Sequence, residues 1–111
     1  MIYHIARQSD WDAALATGAY TADSLATAGF IHCSTAAQVI ATANRLFKGR
    51  RDLVLLAIDT AKVRADIREE NLEGGAELFP HIYGPLEIGA VVACHLFSPR
   101  ADGSFELPAG A

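Results

Sequence analysis

Little in this 111-residue chain is available for cross-linking. Its two cysteines, Cys33 and Cys94, lie far apart with no C-x-x-C spacing. That excludes a zinc-knuckle or thioredoxin-type pattern, and the expectation is a pair of buried free thiols in a reducing compartment. Long apolar runs are missing too: the longest, LVLLAI (53–58), is far below a bilayer span. The opening MIYHIARQSD has no basic leader, apolar stretch or cleavage site, so no secretory signal is read and a cytoplasmic location is expected. Positive charge is scarce, with 9 Lys and Arg against 13 Asp and Glu, a net charge of −4 and a pI near 5.4. A chain of that sign offers no electrostatic footprint to duplex nucleic acid or to an anionic membrane. The one basic cluster, RLFKGRR (45–51), reads as a solvated helix end with cations at the negative pole of the dipole. No G-x-S-x-G elbow, Walker loop, dinucleotide glycine turn or paired-carboxylate signature occurs. Histidines at H-x-H or H-x-x-x-H spacing are absent as well, so a His-based metal hydrolase is an alternative the spacing disfavours, and no metal is expected.

What remains is ordinary globular material. A hydrophobic fraction of 51% and a charged fraction of 20% suit a single α+β domain, expected over residues 1–99. The tail 100–111 is expected to fray, because its surroundings are rich in Pro, Gly and Ser. IYHIA (2–6) alternates and reads as a strand. Ser9 is expected to cap a helix that carries Trp11, Ala14 and Leu15 on its apolar face and stops at Gly18. Residues 19–29 form a linker with a turn of helix at Ser24 to Ala28, and FIHCS (30–34) is a short strand. Thr35 and Gln38 make a capping box for a second main helix with Val39, Ala43, Leu46 and Phe47 in one stripe, stopped by Gly49. DLVLLAID (52–59) is the continuous apolar strand of a sheet centre. ADIREE (65–70) is a shorter, exposed strand, and residues 90 to 97 form the last one, with His95 assigned to structure. Two main helices are too few for a doubly wound parallel sheet. The expected fold is a curved, split, mixed or antiparallel sheet with helices packed on it.

Three histidines stand out. His4 and His32 sit at strand centres, each facing opposite its apolar neighbours, so both imidazoles are expected on the surface away from the core. A lone strand histidine is more often satisfied within the core than a ligand, but a third in LFPHIYGPL (78–86) shifts that balance. There Pro80 and Pro85 force extended backbone on the residues before them, which puts His81 and Tyr83 on one side of a short segment in a loop. Ser34 and Thr35 open a capped helix and could hold an anion at its positive end, although the same hydroxyls serve as caps. Glu69 and Glu70 end a strand near this region, at a pocket rim or simply in solvent. His32 and Cys33 cannot act as base and nucleophile, since adjacent strand residues point to opposite faces.

IYHIA, Y-x-x-x-S-L-x-x-x-G-F-I-H-C-S-T (20–35) and LFPHIYGPL together resemble the bacterial family called domain of unknown function 952, over nearly the whole chain. That family is similar in fold to the ADP-ribosyltransferase superfamily, which includes RNA 2′-phosphotransferases. The resemblance implies a pocket for NAD or ADP-ribose in the cleft of a split sheet. His4 and His32 match the two nucleotide-holding strand positions, the diphosphate lies near Ser34 and Thr35, and His81 and Tyr83 close on the nicotinamide or the acceptor. No residue clearly matches the superfamily carboxylate; Glu70 is the candidate. The implied activity is ADP-ribosyl- or 2′-phospho-transfer, the alternative a non-catalytic module that binds a small anionic molecule.

Overall fold

The structure, a computed structural model, describes residues 1–72 and 74–111. Along the chain run β1 (Ile2–Arg7), α1 (Gln8–Thr17), β2 (Ala19–Tyr20), α2 (Asp23–Ala28), β3 (Ile31–His32), α3 (Ala36–Leu46), β4 (Leu53–Ile58), β5 (Asp66–Glu70), β6 (Phe79–Tyr83), β7 (Leu86–Glu87) and β8 (Val91–Phe97). The architecture is α+β, and the ladders among the described residues are antiparallel rather than mixed.

A strand without a single polar side chain is stable only where both of its faces are covered, and β4 takes that place. It is buried along its whole length at the centre of the sheet β1-β4-β8. The period of two then divides the core. Ile2 and Ala6 share a face with Val54, Leu56 and Ile58, packed on Trp11 and Ala14 of α1 and on Ile31, Ile82 and Leu86. Tyr3 lies on the opposite face with Leu53, Leu55 and Ala57, under Val39 and Ala43 of α3. Burial of a side chain of this size stabilises the fold by about 1.5–3 kcal/mol each.

A second sheet, β3-β6-β5, and a two-stranded pair, β2-β7, complete the fold. The two larger sheets touch at one bridge, where Tyr3 and Ser34 exchange backbone hydrogen bonds of 2.7 and 2.8 Å. The split that the sequence suggests is therefore present.

Several local expectations need correction. LFPHIYGPL is not a loop. Its Phe79–Tyr83 portion is the central strand of the second sheet, with Pro80 fully buried inside it. A proline lacks the donor that a central strand uses, yet its carbonyl still accepts from Cys33 N–H at 3.0 Å. α1 starts one residue before Ser9, with Arg7 at its N-cap; Arg7 holds the first turn through Asp10, Nε to Oδ2 at 2.8 Å, so no serine cap is used. Gly18 does end it, at φ 91°, in the left-handed region that favours glycine. Leu15 and Leu46 are exposed rather than on the buried stripes. Cys33 is buried as expected, whereas Cys94 faces solvent on the edge strand β8. The tail does not fray at its middle: Phe105 is 1% exposed, stacks on Phe97 at 4.7 Å, and its N–H donates to Asn44 Oδ1 at 2.7 Å. Among the described residues no helix is long and apolar enough to cross a membrane.

Candidate functional site

Beside the bridge between the sheets lies a cleft of about 380 Å³. That is within the roughly 300–1,000 Å³ typical of small-molecule sites. The residues that line it include His4, His32 and His81, with Tyr3, Tyr20, Arg7, Arg45 and Arg50. Topology brings them together. β1 supplies His4, and antiparallel register places His32 directly opposite His81 on β3 and β6.

His4 does not face an outer surface. Its neighbour Tyr3 points into the α3-side core, but the sheet is covered on both sides, so the opposite face is a second core and His4 is 7% exposed. Its Nδ1–H donates to the His32 carbonyl oxygen at 2.5 Å, and its Nε2 accepts from the Tyr20 hydroxyl at 2.8 Å. The proton is assigned to Nδ1 because a carbonyl oxygen can only accept. Burial pulls the pKa of His4 down from 6.5 to about 4, against the smaller opposite pull of the carbonyl bond. With both nitrogens engaged and the ring neutral, His4 is a fixed post rather than a metal ligand or a proton carrier. Among the described residues no three His, Cys, Asp or Glu side chains gather as a metal ion requires.

His32 is the exposed member of the three, its ring edge-on to His81 at 5.4 Å between centroids. His81 is 2% exposed and lies flat on Phe30, with centroids 4.1 Å apart and planes inclined by 21°. Its Nδ1 is 3.0 Å from Glu70 Oε1, and the Tyr83 hydroxyl donates to the same oxygen at 2.5 Å. The Tyr83 and His81 bonds hold the Glu70 carboxyl below the usual range, and Glu70 in turn pushes the Tyr83 phenol up. Arg68 covers the Tyr83 ring at 4.3 Å.

The remaining expected residues divide. Ser34 lines the cleft, whereas Thr35 and Tyr83 are not part of its wall. Thr35 N–H is bound to Gln38 Oε1 at 3.0 Å in the expected capping box, so it serves helix α3. Tyr83 stands behind His81, tied to Glu70. Glu69 is exposed, and His95 lies on β8 outside the cleft wall. Tyr20, Phe30, Arg7, Arg45 and Arg50 were not anticipated. Tyr20 and Phe30 sit in the Y-x-x-x-S-L-x-x-x-G-F string, but aromatic residues there read equally well as core. Arg45 and Arg50 belong to the cluster RLFKGRR, which as sequence is indistinguishable from a solvated helix end. Arg7 joins three elements, pairing with Asp10 of α1 at 2.8 Å and Asp23 of α2 at 2.7 Å.

A family model described as protein of unknown function (DUF952) matches residues 5–94. Among solved structures, the chain is similar to the protein CC0527 from Caulobacter crescentus. The crystal structure of that protein is 36% identical with a TM-score of 0.85, over 96% of this chain and 93% of that one. Its solution NMR structure is 38% identical with a TM-score of 0.83, over 96% of this chain and 91% of that one. No curated protein matches the chain.

Proposed function

The chain belongs to the DUF952 family, and from that membership and the chemistry of the cleft we propose that it binds an anionic nucleotide of the NAD or ADP-ribose type. The catalytic extension of this reading is an ADP-ribosyl- or 2′-phospho-transferase with an ADP-ribosyltransferase-like fold. One observation carries the proposal: His4, His32 and His81 meet on a single cleft that also holds Arg7, Arg45 and Arg50. Guanidinium forks match phosphate oxygens; Arg7 is already paired with Asp10 and Asp23 and Arg50 with Asp52, and a phosphate would bind by exchanging with these carboxylate partners near the surface. Phe79 and the exposed imidazole of His32 offer flat surfaces to a base or nicotinamide ring. The Tyr20 hydroxyl keeps its proton and donates it in the hydrogen bond to His4 Nε2, so toward a ligand its oxygen has only lone pairs to offer, as an acceptor. A volume near the low end of the usual range suits one half of a dinucleotide better than the whole. The residues thus fit the group, and when bound NAD supplies the nicotinamide–ribose bond that such a transferase cleaves.

A second reading, binding without turnover, has its own support. The carboxylates that line the cleft, Asp10 and Asp23, are both held in ion pairs by Arg7. Glu70 is behind His81 rather than in the wall, so a carboxylate facing the sugar is not provided in the resting geometry.

Calorimetric titration with NAD, ADP-ribose, RNA bearing a 2′-phosphate end and zinc chloride tests both, with nicotinamide release as the catalytic readout. The expected result is saturable nucleotide binding weakened by the double change Arg45→Ala, Arg50→Ala. Stabilisation by zinc alone, abolished in His4→Ala, overturns the nucleotide reading. Binding without nicotinamide release or phosphate transfer reduces the protein to a binding module.

A further inference from the structure

Resting on the nucleotide reading of the cleft, we infer that Glu70 is a positioning residue: it fixes His81 so that Nε2 of that ring takes the proton of a ligand hydroxyl. Three features of the molecule support this. A carboxylate only accepts, so the 3.0 Å contact with Glu70 Oε1 places the His81 proton on Nδ1 and leaves the lone pair on Nε2. The ring is held in plane by Phe30 stacked at 4.1 Å and by its place in the central strand β6. His81 is in the cleft wall and Glu70 is not, so the carboxylate stands behind the imidazole as seen from the ligand. Tyr83 completes the arrangement, since its hydroxyl donates to the same carboxylate oxygen at 2.5 Å and keeps it from swinging away.

His4 is the natural comparison. Its two nitrogens are spent on a carbonyl and a phenol, and it has no carboxylate hydrogen-bonded behind it. The step assigned to His81 balances simply. The ligand O–H bond breaks, its proton joins the Nε2 lone pair, and the electron pair on oxygen forms the bond to the anomeric ribose carbon of NAD as the C–N bond breaks and nicotinamide leaves with that bond's electron pair. Glu70 supplies the countercharge to the imidazolium so formed.

Long-range ¹H–¹⁵N spectra of the full chain report the tautomer without any ligand. Wild type is expected to show His81 protonated on Nδ1 alone at pH 8, and ADP-ribose is expected to shift Nε2. Glu70→Leu should mix the two tautomers. Should that variant fail to fold, Glu70→Gln decides. It keeps an acceptor for Nδ1–H, and so the tautomer, but lacks the charge, so kcat for nicotinamide release should fall at least tenfold with KM unchanged. A wild-type His81 protonated on Nε2 overturns the inference outright. If NAD is bound and cleaved but Glu70→Gln leaves kcat intact, the role of Glu70 falls while the nucleotide site stands. Failure of NAD and ADP-ribose to bind at all overturns the nucleotide site and this role with it.

Discussion

Acid should unfold this protein early, and His4 is the reason. Burial lowers its pKa from 6.5 to about 4. Between those values the unfolded chain binds a proton at this position and the folded chain does not, so stability falls as pH falls. Each pH unit crossed costs about 1.4 kcal/mol, and the whole window costs about 3 kcal/mol. Against a domain stability of about 5–15 kcal/mol that is a large share. The contribution is fully present above about pH 6.5 and gone below about pH 4. Glu70, Asp52 and Asp102, whose carboxyls are held low by hydrogen bonds, lose their own contributions as pH falls through the carboxylate range. The comparison must therefore be between variants. His4→Gln retains a donor for the His32 carbonyl and an acceptor for Tyr20 but does not titrate. Trp11, the single tryptophan and buried, reports unfolding by fluorescence in a urea series at each pH. Wild type should be steeper than His4→Gln by about 1.4 kcal/mol per pH unit across this window, with the two parallel above it. Equal slopes, or a His4 ring that titrates near its ordinary value by NMR, would refute the reasoning.

Further outcomes follow from particular contacts. Tyr20→Phe leaves His4 Nε2 buried without a donor and should cost about 1–3 kcal/mol in urea unfolding; an unchanged midpoint argues against the bond. Phe105→Ala removes a ring 1% exposed and should cost about 3–5 kcal/mol, whereas a frayed tail would give almost nothing. Gly84→Ala sets a new Cβ 2.9 Å from Ala65 Cβ, so the β5–β6 sheet must shift, at about 1–3 kcal/mol; thermal denaturation with no loss contradicts it. Arg50→Ala should weaken ADP-ribose binding about tenfold and flatten its salt dependence in calorimetry, and unaltered affinity places the phosphates elsewhere.

The legible parts of the chain were those that obey local rules. The charge-free run at 53–58 could only be a sheet centre, Thr35 and Gln38 could only begin a helix, and Gly18 ends one because its φ of 91° suits no other residue as well. The three histidines were legible as a group for the same reason: alternation gives each a face. Three other features escaped because a second layer decides them. Whether the far face of β1 is solvent or core depends on what packs there, and α1 with the second sheet makes it core. That turned His4 from a surface group into a neutral buried post. LFPHIYGPL read as a loop since two prolines oppose a ladder, yet β3 and β5 flank it and accept what its backbone still offers. Glu70 gained its partners across the β5–β6 ladder, where Glu70 pairs with Phe79 and His81, two residues further along β6 and opposite Arg68, comes within reach.

By itself, then, the sequence determined the α+β class, the main helices, the buried centre strand and the candidate imidazoles, because spacing and side-chain chemistry act over a few residues. Tertiary structure alone decided which imidazole is neutral, which has a carboxylate behind it, and that Arg7, Arg45 and Arg50 share one cleft. Those properties depend on burial and on register between distant strands, and neither is written in any local stretch of chain.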